Sequence, residues 1–171
     1  HHCPFEARRV SVRRATGGAG RGSTEAAARE ARYQALEAAL TEAAAGDPDH
    51  PPVLVTAHHA EDQAETVLLA LMRASGGQGL SGMRPWRPRG QWAHWRPFLE
   101  TPREQLEAAA RHSELGWIDD PANDAPGFAR NHLRHHVVPE LQGFWPDAVG
   151  RICTSARRLV MEQQLLGELA E

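Results

Sequence analysis

The sequence contains no lysine and only two cysteines, and each scarcity excludes a class of site. All nineteen basic residues among the 171 are arginine, so no catalytic lysine lies in this stretch. Cys3 and Cys153 are too far apart in sequence for a CxxC zinc or iron–sulfur motif, and we expect both to be reduced, partly buried thiols. The sequence also lacks an apolar run long enough to cross a bilayer and an N-terminal secretion signal, which predicts a soluble, cytoplasmic protein without a membrane partner.

Arginine is unevenly distributed along the chain, although the net charge is only −3. One group near the N-terminus, where Glu6 is the single acid, comprises Arg8, Arg9, Arg13, Arg14 and Arg21. A second group alternates with tryptophan and comprises Arg84, Trp86, Arg87, Arg89, Trp92, Trp95 and Arg96. Because guanidinium groups pair with phosphates and stack on bases, the two groups together suggest a polyanion-binding face. Taken singly, the arginines are equally explained as solvated surface residues and the tryptophans as packing residues.

The first half of the chain predicts an α/β arrangement. Residues Ala7–Arg14 alternate as a strand would, and Thr24 is suited to cap a helix over Glu25–Ala45. The apolar run Pro52–Ala57 is typical of a strand buried on both faces of a parallel sheet. A helix over Glu61–Ala74 follows, with an apolar stripe of Val67, Leu68, Leu71 and Met72. Strand, tight turn and helix form half of a doubly wound, Rossmann-like unit, whose ligand is expected where the strand ends.

The second half predicts mainly helices and loops. Ser75–Gly82 resembles a phosphate-binding SGGxDS loop, but it follows a helix and lacks the aspartate, so we interpret it as a helix C-cap and loop. After an irregular Trp/Arg/Pro segment, the predicted elements are a helix from Thr101 or Pro102 to Leu115, a polar turn region at Trp117–Gly127, a short basic helix at Phe128–His136 and a helix from Pro146 to the end.

The stretch HHAEDQAET, residues 58–66, has the strongest chemical pattern. Asp62 and Glu65 are three residues apart and would project from one helix face above the strand end, where two carboxylates suit a metal ion or an ammonium group. The alternative is that acids simply favour a helix N-terminus. His58, His59 and Asp62 lack a zinc spacing such as HExxH, so we predict no metal site. The two histidines either line a nucleotide pocket or are structural.

Seven stretches, in order and over nearly the whole chain, resemble the tRNA(Ile)-lysidine synthase family of PP-loop enzymes. They are Glu25–Tyr33, Thr56–Thr66, Arg73–Met83, Arg96–Leu99, Trp117–Asn123, Arg130–Arg134 and Val138–Leu141. Related PP-loop enzymes that thiolate tRNA carry stretches similar to HHxxDxxET. The WxxDPxN and RNxxR patterns favour the lysidine synthases, as does the absence of CxxC pairs.

The resemblance implies a ligase that uses ATP and Mg²⁺ to adenylate the wobble cytidine in the CAU anticodon of isoleucine tRNA. Free L-lysine then displaces AMP. It further implies that Asp62 and Glu65 bind the lysine ammonium, that Arg32 and Arg130 lie near ATP and the adenylated intermediate, and that His58 lines the same pocket; Arg134, Arg84 and Arg87 are candidate tRNA contacts. Arg32 is equally explained as a helix-surface arginine paired with Glu25 or Glu30. Family members can associate, so a homodimer is compatible with the resemblance.

The sequence departs from the family at two points. Glu61 stands where the family often has aspartate, and the family's SGGxDS loop, with its magnesium-binding aspartate, is expected upstream of His1. We therefore expect residues 1–143 to be the latter part of the catalytic domain and residues 144–171 to lead toward a C-terminal domain, with the fragment inactive alone. His1 and His2 are also compatible with a tag remnant. The alternatives are a tRNA thiolation enzyme and a non-catalytic truncated remnant.

Overall fold

A computed structural model describes residues 5–12, 21–47, 49–118 and 129–169, with side chains of the first helix described from residue 27 onward. Predictions for Cys3, Arg13, Arg14 and residues 119–128 fall outside these ranges. In chain order the elements are α1 (Arg21–Gly46), β1 (Val53–Val55), α2 (Ala60–Met72), α3 (Gly77–Leu80), β2 (Trp86–Arg89), β3 (Trp92–Trp95), α4 (Arg103–His112), α5 (Ala129–His132), a π-helical turn (Leu133–Val137), α6 (Val138–Phe144) and α7 (Ala148–Glu168). No helix within these ranges has the length and apolar character needed to cross a bilayer.

The three strands form one mixed sheet in the order β1-β3-β2. The Ala93 N–H donates to the Pro52 carbonyl at 3.2 Å and the Thr56 N–H to the Trp95 carbonyl at 3.0 Å, which is the pattern of a parallel β1–β3 pair. β2 and β3 form a hairpin, so the prediction of an irregular Trp/Arg/Pro segment was wrong. Gly90 makes the hairpin possible, because its φ of +62° permits the tight turn between the two strands.

β1 is shorter than predicted and is buried on one side only. Leu54 is buried, whereas Val53 is 40% and Val55 53% exposed. The prediction of a strand covered on both faces was therefore wrong for this chain.

The chain divides into two compact units, of which the first comprises residues 1–54 and 88–93. Its main element, α1, begins at Arg21, so Thr24 lies inside the helix and is not its cap, because a cap residue has non-helical backbone. Residues 7–12 form no strand, so that prediction was wrong over its described part. Instead, the Arg8 guanidinium donates to both carboxylate oxygens of Glu42 at 3.2 and 2.5 Å. This arginine is thus paired with a carboxylate and is not presented to a polyanion.

The second unit comprises residues 55–87 and 94–171. Its core joins α2, α6 and α7 through the buried residues Ala60, Ala64, Val138 and Val149, with Leu68, Ile152 and Cys153 packed against them. The predicted apolar stripe on α2 was wrong at its C-terminal end, where Leu71 is 53% and Met72 72% exposed. Small alanines let α2 pack closely and shift its buried face toward the N-terminus. That shift buries Glu65 and places Asp62 at the edge of the same face.

Gln63 fixes the connection that follows α3. Its side-chain amide donates to the Met83 carbonyl at 2.9 Å and accepts the Met83 N–H at 2.8 Å. Gly82 has φ +64°, and a Cβ there would lie 2.8 Å from the Gln63 Oε1, so glycine is required. Ser75–Gly82 follows a helix, as predicted, although it contains the one-turn helix α3.

Candidate active site

The first turn of α2 presents two acidic side chains, Glu61 and Asp62, and each accepts a hydrogen bond from a backbone N–H group. Asp62 accepts the backbone N–H of His59 at 3.1 Å, closing the start of the helix. Glu61 accepts the backbone N–H of Arg103 at 2.9 Å, which satisfies a donor at the start of α4. Asp62 therefore has the structural role expected of an acid at a helix N-terminus, and it also has a second partner.

That second partner is Arg134. Its Nε donates to the Glu65 Oε1 at 2.7 Å, while its Nη2 donates to the Glu65 Oε2 and to the Asp62 Oδ1, both at 3.1 Å. The guanidinium thus bridges the two carboxylates that the sequence pattern predicted to bind a cation. Arg134 was a candidate tRNA contact under the family resemblance, and its described contacts are with the acid pair.

Arg130 joins the same cluster from one turn earlier. Its Nη2 donates to the Thr66 hydroxyl at 3.0 Å, and its Nε lies 3.5 Å from the Glu65 Oε2. Thr66 in turn donates to the Asp62 carbonyl at 2.7 Å. The structure therefore brings together four of the predicted site residues, Asp62, Glu65, Arg130 and Arg134.

Burial sets the electrostatics of the cluster. The side chain of Glu65 is 1% exposed and that of Asp62 is 14% exposed. Burial raises the pKa of the Glu65 carboxyl above its ordinary value, although Arg134 and Arg130 oppose the shift. Burial lowers the pKa of Arg134, but Glu65 and Asp62 raise it more, so the net pKa is raised and the guanidinium stays charged.

Local helix geometry explains how both arginines reach α2. Arg130 lies on α5 and Arg134 on the π-helical turn that continues it. Residues four apart share a helix face, and a single wide turn re-aims the side chains that follow it. π-Helical turns within α-helices are frequent at functional sites.

The adjacent histidines have different surroundings. The Nδ1 of His58 lies 2.8 Å from the Thr56 hydroxyl, at the end of β1. The Nδ1 of His59 lies 2.9 Å from the Glu61 carboxylate. Burial raises the pKa of Glu61, but hydrogen bonds from His59 and from the Arg103 N–H lower it more, so the net pKa is below its ordinary value. His59 is thus a structural histidine, whereas His58 lies where the predicted ligand pocket begins.

The remaining predicted site residues are exposed. Arg32 lies on α1 in the first unit, with its Cζ 6.0 Å from the ring centroid of its neighbour Tyr33. Arg84 and Arg87 are exposed in the second unit. Arg96 was expected on the polyanion-binding face but is 8% exposed, so that prediction was wrong; it donates to the Arg84 carbonyl at 2.8 Å. The hydrogen bond to this backbone carbonyl satisfies a donor of the buried guanidinium.

The acid pair does not have the form of a magnesium site. In the part of the chain that the structure describes, no group of three His, Cys, Asp or Glu side chains comes close enough to hold a metal ion. Asp62 and Glu65 instead share a guanidinium. The Cys153 thiol nearby is free. Burial, together with Glu61 and Glu100, raises the pKa of this thiol to about 11, so the thiol is protonated and unreactive at neutral pH.

Sequence reasoning missed several polar residues around the site. Thr66 was not predicted to contact Arg130, Thr56 was named only as part of a strand and of a family-like stretch, and His94 was not considered. One signal was available for Arg134, because the RNxxR spacing puts Arg130 and Arg134 on one helix face. Their common partner Glu65 could not be inferred from spacing.

Comparison with known proteins identifies the domain. A model of the PP-loop domain matches residues 3–141. The chain is 44% identical to the tRNA(Ile)-lysidine synthase of Pseudomonas fluorescens (strain Pf0-1) over 168 residues, which cover 98% of this chain and 35% of that protein. It is 46% identical to the tRNA(Ile)-lysidine synthase of Alkalilimnicola ehrlichii over 161 residues, covering 94% and 34%. The chain therefore spans about a third of the length of the curated relatives it matches.

The match confirms the predicted α/β fold class and the predicted resemblance. Because the PP-loop model covers most of the sequence, and the predicted site residues Asp62, Glu65, Arg130 and Arg134 fall within it, this chain belongs to the PP-loop domain family.

Proposed function

We propose that this protein is an ATP-dependent ligase that joins lysine to the wobble cytidine in the CAU anticodon of isoleucine tRNA, through an adenylated cytidine. Its relatives are named tRNA(Ile)-lysidine synthase, and the PP-loop match supports ATP as the adenylating substrate. Mg²⁺ is part of the proposal as the ion that accompanies ATP. The observation that carries the proposal is the Asp62–Glu65 pair, which binds a cationic side chain in this structure.

The two acids would have different roles in binding lysine. The Asp62 side chain is 14% exposed and that of Glu65 is 1% exposed, so an incoming ammonium group meets Asp62. A carboxylate accepts about four hydrogen bonds, and Asp62 has capacity beyond its bonds from His59 and Arg134. Glu65 then anchors Arg134 rather than contacting the substrate first.

The chemistry requires a proton acceptor and a positive charge. Lysine is an ammonium ion at neutral pH, so it must lose a proton before its nitrogen attacks, and the Asp62 carboxylate, the more exposed of the Asp62–Glu65 pair, is suited to accept that proton. The C–N bond to cytidine forms as the bond to AMP breaks. Arg130, whose side chain keeps 29% exposure beside Glu65, is suited to offset the negative charge of the departing AMP.

The test is transfer of labelled lysine to isoleucine tRNA, with ATP and Mg²⁺, by the complete natural reading frame that contains this sequence. Methionine tRNA of the same anticodon is the control substrate. We expect selective, ATP-dependent labelling that is lost in Asp62→Asn and retained in Asp49→Asn, a matched change in an exposed turn. Absence of labelling in the unmodified protein would overturn the proposal and favour tRNA thiolation or a non-catalytic remnant.

A further inference from the structure

A chain of hydrogen-bonded side chains leads from the interior of the second unit to His58. We propose that Arg96, His94 and Thr56 are positioning residues that hold His58 in the tautomer whose Nε2 carries the proton. Its role in catalysis rests on the proposed function; the tautomer itself does not.

The chain is continuous and largely buried. The Arg96 Nη2 lies 3.0 Å from the His94 Nδ1, the His94 Nε2 lies 2.9 Å from the Thr56 hydroxyl, and that hydroxyl lies 2.8 Å from the His58 Nδ1. Arg96 is 8% exposed and His94 is 2% exposed. The Arg96–His94 contact is therefore shielded from competing water, which strengthens it, whereas Thr56 and His58 are half-buried.

Arg96 sets the donor-to-acceptor direction of these hydrogen bonds. A guanidinium has only N–H donors, so the His94 Nδ1 must accept the bond from Arg96. A neutral His94 then carries its proton on Nε2 and donates to the Thr56 hydroxyl. The Thr56 hydroxyl keeps one donor, its O–H, and in the proposed arrangement that O–H donates to the His58 Nδ1, which lies 2.8 Å away. His58 consequently carries its own proton on Nε2.

Backbone bonds fix both ends of the chain. The Arg96 N–H donates to the Pro85 carbonyl at 2.8 Å, and its Nη1 donates to the Arg84 carbonyl at 2.8 Å. The Thr56 N–H donates to the Trp95 carbonyl at 3.0 Å, which sets Thr56 beside His94 in the sheet register. Rotating any one of the three side chains away would break at least one short bond. The sheet register thus holds the hydrogen-bonded side chains in the order Arg96, His94, Thr56, His58.

The consequence for the reaction is the kind of group that His58 can recognise. In this tautomer His58 offers an N–H donor, which matches a hydrogen-bond acceptor of a nucleotide, such as a phosphate oxygen or a purine ring nitrogen. In the opposite tautomer it would offer a lone pair and repel those acceptors. Arg96, His94 and Thr56 act on the nucleotide only through His58.

The first test measures protonation at each ring nitrogen by two-bond ¹H–¹⁵N correlation spectra of the chain with labelled histidine, at a pH where free histidine is neutral. The chain has ten histidines, and the spectrum of His58→Gln assigns the His58 signals. We expect bare Nδ1 and protonated Nε2 for both His58 and His94. A protonated Nδ1 on either ring would overturn the proposal, and the variant serves only to assign the signals.

The second test removes the middle of the chain. Thr56→Val keeps the shape of the side chain but loses the hydroxyl, and we expect His58 to become a tautomer mixture. Thr56→Ser keeps the hydroxyl and should restore the Nε2–H form. Far-ultraviolet circular dichroism of all three proteins checks that the fold is unchanged. An unaltered His58 spectrum in a folded Thr56→Val would overturn the proposal.

In the lysine-transfer assay with the complete reading frame, Thr56→Val should raise the KM for ATP by about tenfold, as expected for a misdirected hydrogen bond. The KM for lysine should stay constant, and Thr56→Ser should recover the ATP value. If the unmodified protein transfers no lysine but the tautomers are as expected, the proposed function fails and the hydrogen-bond chain stands. If transfer occurs but Thr56→Val changes neither the KM for ATP nor the His58 tautomer, the proposed hydrogen-bond chain is wrong and the proposed function stands.

Discussion

Two arginine-rich stretches, the RNxxR segment at residues 130–134 and the tryptophan-rich segment at residues 84–96, place the same side chain in opposite surroundings. Arg134 bonds two carboxylates, and its side chain is 21% exposed. Arg84 and Arg87 are exposed to solvent. All three were candidate tRNA contacts on the basis of the sequence. The comparison shows that the facing residues, more than the arginine itself, decide which role a guanidinium can take.

The largest effect should come from removing the charge that Arg134 faces. Glu65→Ala removes the whole side chain that Arg134 contacts and leaves the guanidinium with Asp62 alone, and removing one partner of a buried ion pair costs about 3 kcal/mol of unfolding free energy. Losing one charge of the cation site should also lower kcat/KM for lysine about 100-fold. Urea unfolding and labelled-lysine transfer measure the two effects.

The matched control for that variant is Glu104→Ala, which changes an exposed acid in the first turn of α4. We expect it to change neither quantity appreciably. Equal effects of the two variants would mean that Glu65 has no special relation to Arg134 or to lysine.

A second, smaller effect should follow from changing the arginine itself. Arg134→Ala leaves a buried carboxylate without its main partner, and we expect a loss of about 2 kcal/mol because the arginine side chain is partly exposed. Arg134→Lys should recover part of the loss, since an ammonium group supplies the charge but not the forked geometry. The salt dependence of tRNA binding should be unchanged in both variants. A weaker salt dependence with unaltered stability would restore Arg134 to the tRNA-contact role and remove the contrast.

The pH dependence of stability sharpens the same contrast without altering Arg134. Burial raises the pKa of Glu65 in the folded chain, so between its ordinary and raised values the folded chain binds more protons than the unfolded one. The stabilising contribution of Glu65 is therefore full below the ordinary glutamate pKa, falls as pH rises through that window and levels off above it.

Urea unfolding of the original chain and of Glu65→Gln at a series of pH values isolates this contribution, because other titrating groups cancel in the difference. We expect the difference in unfolding free energy to change in favour of Glu65→Gln as pH rises. A difference that is flat, or that changes in the opposite direction, would contradict the raised pKa.

The fold and the acid pair were predictable because they depend on local patterns. The apolar run at β1, the helix of HHAEDQAET and the long helix α7 all follow from periodicity and were found within a few residues. Asp62 and Glu65 were selected because their spacing puts them on one helix face. Short-range chemistry was sufficient for these features.

What could not be predicted depends on contacts between distant residues. Arg134 meets Glu65 across 69 positions, and Thr56 meets His94 across 38, and no spacing rule connects such pairs. The β2–β3 hairpin was missed because Pro88 and a run of exposed side chains conceal the strand alternation. The buried Arg96 was misassigned for the same reason as Arg134, because sequence composition does not show which acceptors lie inside the fold.

The smallest expected effect tests the exposed side of the comparison. Arg87→Ala should change the unfolding free energy by less than about 0.5 kcal/mol, because the side chain is exposed. If Arg87 contacts a tRNA phosphate, the slope of log affinity against log salt should fall by about 1. Filter binding of isoleucine tRNA over a salt series measures that slope, with Arg158→Ala on α7 as the matched exposed arginine. An unchanged slope in Arg87→Ala would mean that Arg87 does not contact a tRNA phosphate. An equal change in Arg158→Ala would mean that a general loss of positive charge, not a contact of the tryptophan-rich segment, explains the result.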